Sequence, residues 1–190
     1  MAEQILSPTG PLDGTHFSAG PDLHLRPADD CARFSLRIAK AGLEDAIEAF
    51  GQDIPADIGA MSSSGNRTAL CLGPDEWLLL APVTEREGIA ARFAKLSDTH
   101  SLVDVGHRSV GIDVSGPAAA LALNAGCPLD LEAMAVGGCT RTILDKAEIV
   151  LMKLGAERYR LDIVRSFAEF VWNFLIDAGR ESDVASGPPD

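Results

Sequence analysis

The spacing of apolar and polar residues predicts one run of elements near residue 34 and the same run again near residue 108. Strict alternation predicts a half-buried strand, and apolar residues three and four apart predict a helix. By these rules the first run is a strand, a helix, a hairpin and a second helix, over residues 34–38, 43–50, 67–81 and from Thr84 onward. Gly51 is expected to end the first helix, because glycine readily adopts the left-handed conformation of a helix C-terminus.

The second run repeats the first closely enough to indicate an internal duplication. A shift of 74 residues places 35–38 on 109–112 and 67–70 on 141–144, and a shift of 82 residues places 73–77 on 155–159. The second copy therefore contains eight extra residues, which we interpret as one added strand. Two repeats are too few for a solenoid, so the pattern indicates two half-domains packed about a pseudo-twofold axis.

Two of the predicted helices begin with the same polar pattern. Thr84 is followed three residues later by Glu87, and Ser166 is followed by Glu169 at the same spacing. In a capping box, the hydroxyl accepts a hydrogen bond from the backbone of the glutamate, and the glutamate side chain accepts one in return. The sequence therefore predicts a capping box at corresponding places in the two copies.

These elements place the chain in the α+β class, as a mixed sheet layered with helices. We predict a single duplicated domain over residues 31–180, with halves at about 31–105 and 106–180. Residues 1–30 are rich in proline and glycine and show little periodicity, which predicts a flexible N-terminal arm unless the arm docks elsewhere. Residues 181–190 are predicted to form a flexible tail.

Composition and charge limit the possible partners. The chain has 190 residues and a formal net charge of −12, which disfavours nucleic acids and anionic membranes as partners. It has no long apolar stretch and no secretory signal, so a cytoplasmic location is expected. The four cysteines are widely spaced, which disfavours a zinc site. Cys127 or Cys139 could act as a nucleophile, with Arg141 near the second, but burial in the core is favoured.

Few other residues suggest chemistry, and no phosphate-binding glycine motif is present. Asp104, His107 and Arg108 cluster where the two copies join, and could form an acid–base group or an anion clamp. Because no nucleophile or metal ligand follows at a set spacing, we favour a structural junction in which His107 and Arg108 pair with Asp104. Residues 61–66 could form an anion-binding backbone nest, although a plain loop is favoured. No catalytic, cofactor-binding or metal-binding residue is assigned.

The final helix is apolar over most of its circumference. Phe167, Phe170 and Phe174 are expected to face the core, while other apolar side chains extend the surface beyond one face. A helix of this kind must be covered, either by the N-terminal arm or by a partner subunit. We favour a partner subunit, with candidate interface residues Trp172, Ile176 and Ala168.

Several longer strings resemble the gamma subunit of heterotetrameric sarcosine oxidase, over about residues 30–178. They are Gly-Pro-Asp-Glu-Trp-Leu-Leu-Leu-Ala-Pro at 73–82, Ser-Gly-Pro-Ala at 115–118, Gly-Cys-Pro-Leu-Asp-Leu at 126–131, Cys-Thr-Arg-Thr at 139–142, Lys-Ala-Glu-Ile-Val-Leu at 146–151 and Arg-Ser-Phe at 165–167 with Trp172. The fold of that family resembles the tetrahydrofolate-binding domain of the aminomethyltransferases, which is itself a duplicated α+β unit.

The resemblance implies a cytoplasmic flavoenzyme complex that oxidatively demethylates sarcosine to glycine. Such a complex forms hydrogen peroxide and passes the methyl carbon to tetrahydrofolate as 5,10-methylenetetrahydrofolate. The resemblance places FAD, FMN, NAD and tetrahydrofolate on the alpha and beta subunits, adds a small delta subunit, and makes the gamma subunit a non-catalytic accessory without a cofactor. Gly106 stands where the family usually has serine before His-Arg, which weakens a specific role for that junction.

A stand-alone folate-binding protein is the alternative. The iron–sulfur-maturation relatives of the aminomethyltransferases contain a Lys-Gly-Cys-aromatic motif, whereas Gly138-Cys139 lies here between Gly137 and Thr140. Both the lysine and the aromatic residue are therefore missing. A true aminomethyltransferase is disfavoured by the short chain and by the lack of a convincing catalytic aspartate. The sequence leaves open whether a folate pocket survives between the halves.

Overall fold

The computed structural model describes residues 10–185, and within this range the chain forms eleven strands in two sheets and four α-helices. The strands are β1 (Phe17–Ala19), β2 (Leu23–Pro27), β3 (Ala32–Ile38), β4 (Met61–Ser64), β5 (Arg67–Gly73), β6 (Glu76–Ala81), β7 (His100–Asp104), β8 (Ser109–Ser115), β9 (Cys139–Leu144), β10 (Ala147–Gly155) and β11 (Arg158–Val164). The helices are α1 (Leu43–Phe50), α2 (Arg86–Phe93), α3 (Ala119–Asn124) and α4 (Ala168–Ala185). Within the described range, no helix combines the length and apolarity needed to cross a membrane.

Each copy of the repeat builds its own sheet, and every strand pairing is antiparallel. The first sheet has the order β4-β5-β6-β3-β7, and the second has the order β1-β2-β8-β11-β10-β9. The expected mixed sheet is therefore wrong, because every strand pairing is antiparallel and the two halves build separate sheets. The α+β class and the strand, helix and hairpin order of each half agree with the sequence.

The two sheets repeat one strand order, in which β3-β6-β5-β4 corresponds to β8-β11-β10-β9. The strand pairing is interrupted at matching places, next to Gly73 in the first sheet and next to Gly155 in the second. The strand β5 therefore corresponds to β10. The alignment of residues 67–70 with 141–144 is wrong, because the shared Arg-Thr pair lies on β5 in one copy and on β9 in the other.

No strand was added in the second copy, contrary to our interpretation of its eight extra residues. The connection between α3 and β9 is four residues longer than that between α1 and β4. The strands β9 and β10 are each two residues longer than β4 and β5, with six against four and nine against seven residues. A longer loop and a longer hairpin therefore account for all of the extra length.

The strands β1 and β2 belong to the second sheet, so the flexible arm expected over residues 1–30 is wrong for 17–27. The strand β2 pairs with β8, with Leu25 opposite Val114. Leu23 and Leu25 are buried, and Gly179 of α4 lies so close to Leu23 that a Cβ there would come within 2.6 Å of its Cδ2. Helix α4 continues through residue 185, so the predicted tail does not begin at 181. Residues 1–9 and 186–190 lie outside the described residues.

The two predicted capping boxes do not form. A 3-10 turn leads into α2 at Val83–Glu85 and another leads into α4 at Arg165–Phe167, and neither turn has a side-chain cap hydrogen bond. Thr84 and Ser166 lie inside these turns, whereas a capping hydroxyl needs the extended backbone of the residue that precedes the helix. The turns nevertheless occupy matching places in the two copies.

Buried apolar side chains form three clusters that define the layers. One cluster lies between the first sheet and helices α1 and α2, and a second lies between the second sheet and helices α3 and α4. The third joins the two sheets to each other and contains Leu70, Leu78, Leu80, Cys139 and Met152. The sheets therefore face each other at the centre, with a helical layer outside each one.

Candidate functional site

The surface between the two sheets contains a cavity that both halves line. Its volume is about 340 Å³, within the usual size range of small-molecule sites. Three arginines and three carboxylates contribute to its wall, namely Arg33, Arg108, Arg141, Glu76, Glu148 and Asp162. The lining contains no histidine and no cysteine. Within residues 10–185, no group of histidine, cysteine and acidic side chains is arranged to hold a metal ion.

A buried ion pair in the cavity lining joins the two halves. Arg33 of β3 donates from Nε and Nη2 to Asp162 Oδ1 on β11, at 3.2 and 3.1 Å. Both side chains are almost fully buried, at 2 and 3% exposed. The second oxygen of Asp162 is also buried and has no hydrogen-bond partner. Because a buried charge without its partner is costly, this pair ties the first half to the second.

A second ion pair in the same lining crosses between the halves. Arg141 of β9 lies 2.5 Å from Glu76 of β6, and Arg37 lies 2.9 Å from the other oxygen of the same carboxylate. The hydrogen bonds from Arg141 are the main cause that holds the pKa of Glu76 below its ordinary value, with the charges of both arginines adding to the effect. The site therefore uses its charges to hold the two halves together.

Sequence reasoning missed these pairs, although a signal was present. Arg33 lies between Ala32 and Phe34 in a strand, and Asp162 lies between Leu161 and Ile163. A charged side chain within an apolar strand needs a partner when both faces of the sheet are covered. That rule could have selected both residues, but it could not have matched them across 129 positions of sequence.

The predicted junction of Asp104, His107 and Arg108 is only partly assembled. Asp104 lies at the end of β7, where its carboxylate accepts a hydrogen bond from the backbone of Gly106 and forms an ion pair with Arg86 at 3.2 Å. His107 and Arg108 follow in a 3-10 turn and are both exposed. The expected pairing of His107 and Arg108 with Asp104 is wrong, because Arg86 of α2 takes that carboxylate.

The structure buries two of the three candidate interface residues on α4. Ala168 and Trp172, at 0 and 6% exposed, are buried in the core of the second half, and Ile176 is half-buried against the same core. Phe167, expected in the core, is instead 37% exposed. Because Trp172 is buried in a cluster that also contains side chains of β1 and β2, this tryptophan offers little surface to a partner.

The other candidates have structural roles. Residues 61–64 are the strand β4, so the predicted loop or anion-binding nest at 61–66 is reduced to a turn at Gly65. Cys127 and Cys139 are buried. Burial is the main cause that raises the pKa of Cys139 to about 12, which keeps its thiol protonated and unreactive near neutral pH.

The fold defines an internally duplicated α+β unit of the aminomethyltransferase type. A solved structure of aminomethyltransferase T of the glycine cleavage system from Bartonella henselae matches with a TM-score of 0.60 and 14% identity, over 80% of this chain and 45% of that chain. At this identity the match shows the fold alone.

The chain belongs to the sarcosine oxidase, gamma subunit family, whose family model matches residues 38–181. It is 36% identical over 152 residues to the sarcosine oxidase subunit gamma of Corynebacterium sp. (strain P-1), covering 77% of this chain and 73% of that one. It is 31% identical over 146 residues to the subunit gamma of an Arthrobacter species, covering 74% and 71%. The solved heterotetrameric sarcosine oxidase from Corynebacterium sp. U-96 contains a chain that matches with a TM-score of 0.80 and 26% identity, over 90% of both chains.

Proposed function

We propose that this chain is the accessory gamma subunit of a heterotetrameric sarcosine oxidase. In this proposal the complex oxidatively demethylates sarcosine to glycine, with formation of hydrogen peroxide and 5,10-methylenetetrahydrofolate. The chain contributes to assembly, while alpha, beta and delta subunits are its partners and FAD, FMN, NAD and tetrahydrofolate lie on other subunits. The cytoplasmic location expected from the sequence belongs to the same proposal.

The observation that carries the proposal is the match of nearly the whole fold to one chain of a heterotetrameric sarcosine oxidase. The chemistry of the central site agrees with an accessory role. Two of its arginines are engaged by carboxylates that join the halves, at Asp162 and Glu76. Asp104, His107 and Arg108 fit a structural role in this proposal, as does the half-buried Ile176.

Co-expression with the other subunits from the same cell tests the proposal. We expect the chain to co-purify in a flavin-coloured complex that forms hydrogen peroxide when sarcosine is added. The chain expressed alone is expected to be colourless and inactive, and omission of the chain is expected to lower the yield of the intact complex. Failure to co-purify with the flavin-containing subunits would contradict the proposal.

A stand-alone folate-binding protein remains the alternative because the cavity between the halves has the size of a small-molecule site. Calorimetric titration of the lone chain with tetrahydrofolate separates the two functions. Tight binding by a chain that joins no complex would favour the alternative. Absence of binding, together with co-purification, favours the accessory subunit.

A further inference from the structure

The strand β7 forms an open edge of the first sheet. It pairs with β3 on one side only, and within residues 10–185 its other side has no backbone partner. The backbone N–H of Val105 donates to Arg33 O at 2.8 Å, so these two residues form a hydrogen-bonded pair. In an antiparallel ladder such pairs alternate with non-hydrogen-bonded pairs. By that alternation the N–H and C=O groups of His100, Leu102 and Asp104 point away from β3. Three residues thus present unpaired donors and acceptors along one line.

The second sheet shows what an occupied edge looks like in this fold. The strand β2 lies beside β8 on the same side as β7 lies beside β3, and β1 covers the outer edge of β2. The register there places Phe17 opposite Leu25 and Ala19 opposite Leu23. The duplication allows the two sheets to be compared strand by strand. The first sheet lacks a strand beside β7 at the place where β1 lies beside β2 in the second sheet.

The edge lacks most of the devices that usually block strand addition, and its one acidic residue, Asp104, is already paired with Arg86. Natural sheets protect an open edge with proline, lysine, a bulge or a very short strand. The strand β7 has five residues, His-Ser-Leu-Val-Asp, and its pairing with β3 has no bulge. Val103 is 51% exposed and lines the cavity between the sheets.

The charges beside the edge indicate the chemistry of an occupant. Arg108 lies four residues beyond the end of β7, is exposed and lines the same cavity as Val103. In the described part of the chain its guanidinium has no ion pair or hydrogen bond, unlike Arg33 and Arg141 in the same lining. An added strand that matched these groups would place an apolar side chain on Val103 and a carboxylate at Arg108.

We propose that β7 is a docking edge for an extended segment of a partner subunit, which adds antiparallel to β7 and contains an apolar residue for Val103 and an acidic residue for Arg108. Each copy of this chain has a net charge of −12, which disfavours a second copy as the occupant. The inference rests on the proposed function, since it takes the partner from the same complex. It goes beyond that function by naming the surface and the mode of recognition.

Amide hydrogen exchange, resolved to single residues by fragmentation mass spectrometry, tests the edge directly. The amides of Ser101 and Val103 already face β3, so they should exchange slowly in the lone chain and in the complex. Those of Leu102 and Asp104 should exchange quickly in the lone chain and slowly in the complex. Quick exchange at both positions in the intact complex would overturn the proposal. Slow exchange already in the lone chain would also overturn it, because the edge would then be covered by this chain or by a second copy.

The matched variants are Val103→Lys and Val136→Lys. Both valines are exposed, at 51 and 59%, but Val136 lies away from β7 in the connection before β9. Val103→Lys should weaken retention of the chain in the complex by roughly tenfold or more, while Val136→Lys should leave it unchanged. Arg108→Glu should weaken retention in the same way, and Arg108→Lys should restore most of it.

The outcomes separate this inference from the proposed function. If the wild-type chain does not join the flavin-containing subunits at all, the proposed function fails. If the wild-type chain joins them and Val103→Lys joins equally well, only the docking edge is refuted.

Discussion

Replacement of Trp172 by alanine should destabilise the isolated chain strongly. Trp172 is 6% exposed and lies in the buried core of the second half, in the cluster that contains Val171, Leu175 and side chains of β1 and β2. Burial of a tryptophan removes about 200 Å² from water, which at about 25 cal/mol per Å² corresponds to about 5 kcal/mol. Truncations of buried aromatic residues cost about 3–5 kcal/mol, and we expect the same here.

Thermal unfolding of the lone chain, followed by circular dichroism, measures the effect. For a chain of this size each kcal/mol shifts the melting temperature by about 2–4 °C, so Trp172→Ala should lower it by about 6–20 °C. The matched control is Phe167→Ala, in the 3-10 turn that leads directly into α4. Phe167 is 37% exposed and makes one edge-on ring contact, with Phe170, so its loss should cost about 1 kcal/mol.

The two variants also decide which side of α4 faces inward. If Trp172→Ala melted at the temperature of the wild type while Phe167→Ala melted far lower, the packing described for α4 would be refuted. The tryptophan would then be available to a partner subunit, as the sequence alone suggested.

Three further experiments test the contacts between the two halves. Arg33→Met should cost about 3 kcal/mol in chemical unfolding because it removes both hydrogen bonds to the buried Asp162 and leaves only Arg160, at 3.7 Å, as its ion-pair partner. The exposed Arg180→Met should cost nothing measurable. The lowered pKa of Glu76 means that its contribution to stability is present above its ordinary pKa and is lost as the pH falls through the lowered value. Glu76→Gln should therefore reduce the fall in the free energy of unfolding below about pH 4. If that free energy fell with pH in the variant as steeply as in the wild type, this reasoning would be contradicted. At pH 8 Cys139 should resist iodoacetamide until the chain unfolds, and rapid labelling of the native protein, seen by peptide mass spectrometry, would contradict its burial.

The sequence predicted the strands and hairpins well where alternation was regular. The hairpin of β5 and β6 falls within a residue of its predicted bounds, and Gly51 ends α1 with a φ of 73° as expected. These features depend on neighbours in sequence, so local patterns are enough to find them. The capping boxes failed because the local pattern was right in spacing but the preceding backbone was helical.

Features set by distant contacts were predicted poorly. A helix that is apolar nearly all round gives no contrast from which to find its inward side, so the orientation of Trp172 depended on strands β1 and β2. Those strands were overlooked because the alternation of Leu23 and Leu25 is short and lies among prolines and glycines. The pairing of Arg33 with Asp162 required knowledge of how two sheets face each other, which no single sequence contains.

The place of β2 beside β8 has a consequence for how the chain folds during synthesis. Eighty-one residues lie between the end of β2 and the start of β8, so the N-terminal strands leave the ribosome long before their partner. At typical translation rates this delay is on the order of 10 s, whereas the first sheet can form from a contiguous stretch in the meantime. The strands β1 and β2 can pair with each other, but β2 must wait for β8 while the first sheet, with its open edge at β7, takes shape beside it. Premature pairing of β2 with the open edge of β7 is therefore a misfolding route for this topology. Early binding of a partner subunit to β7 would block that route.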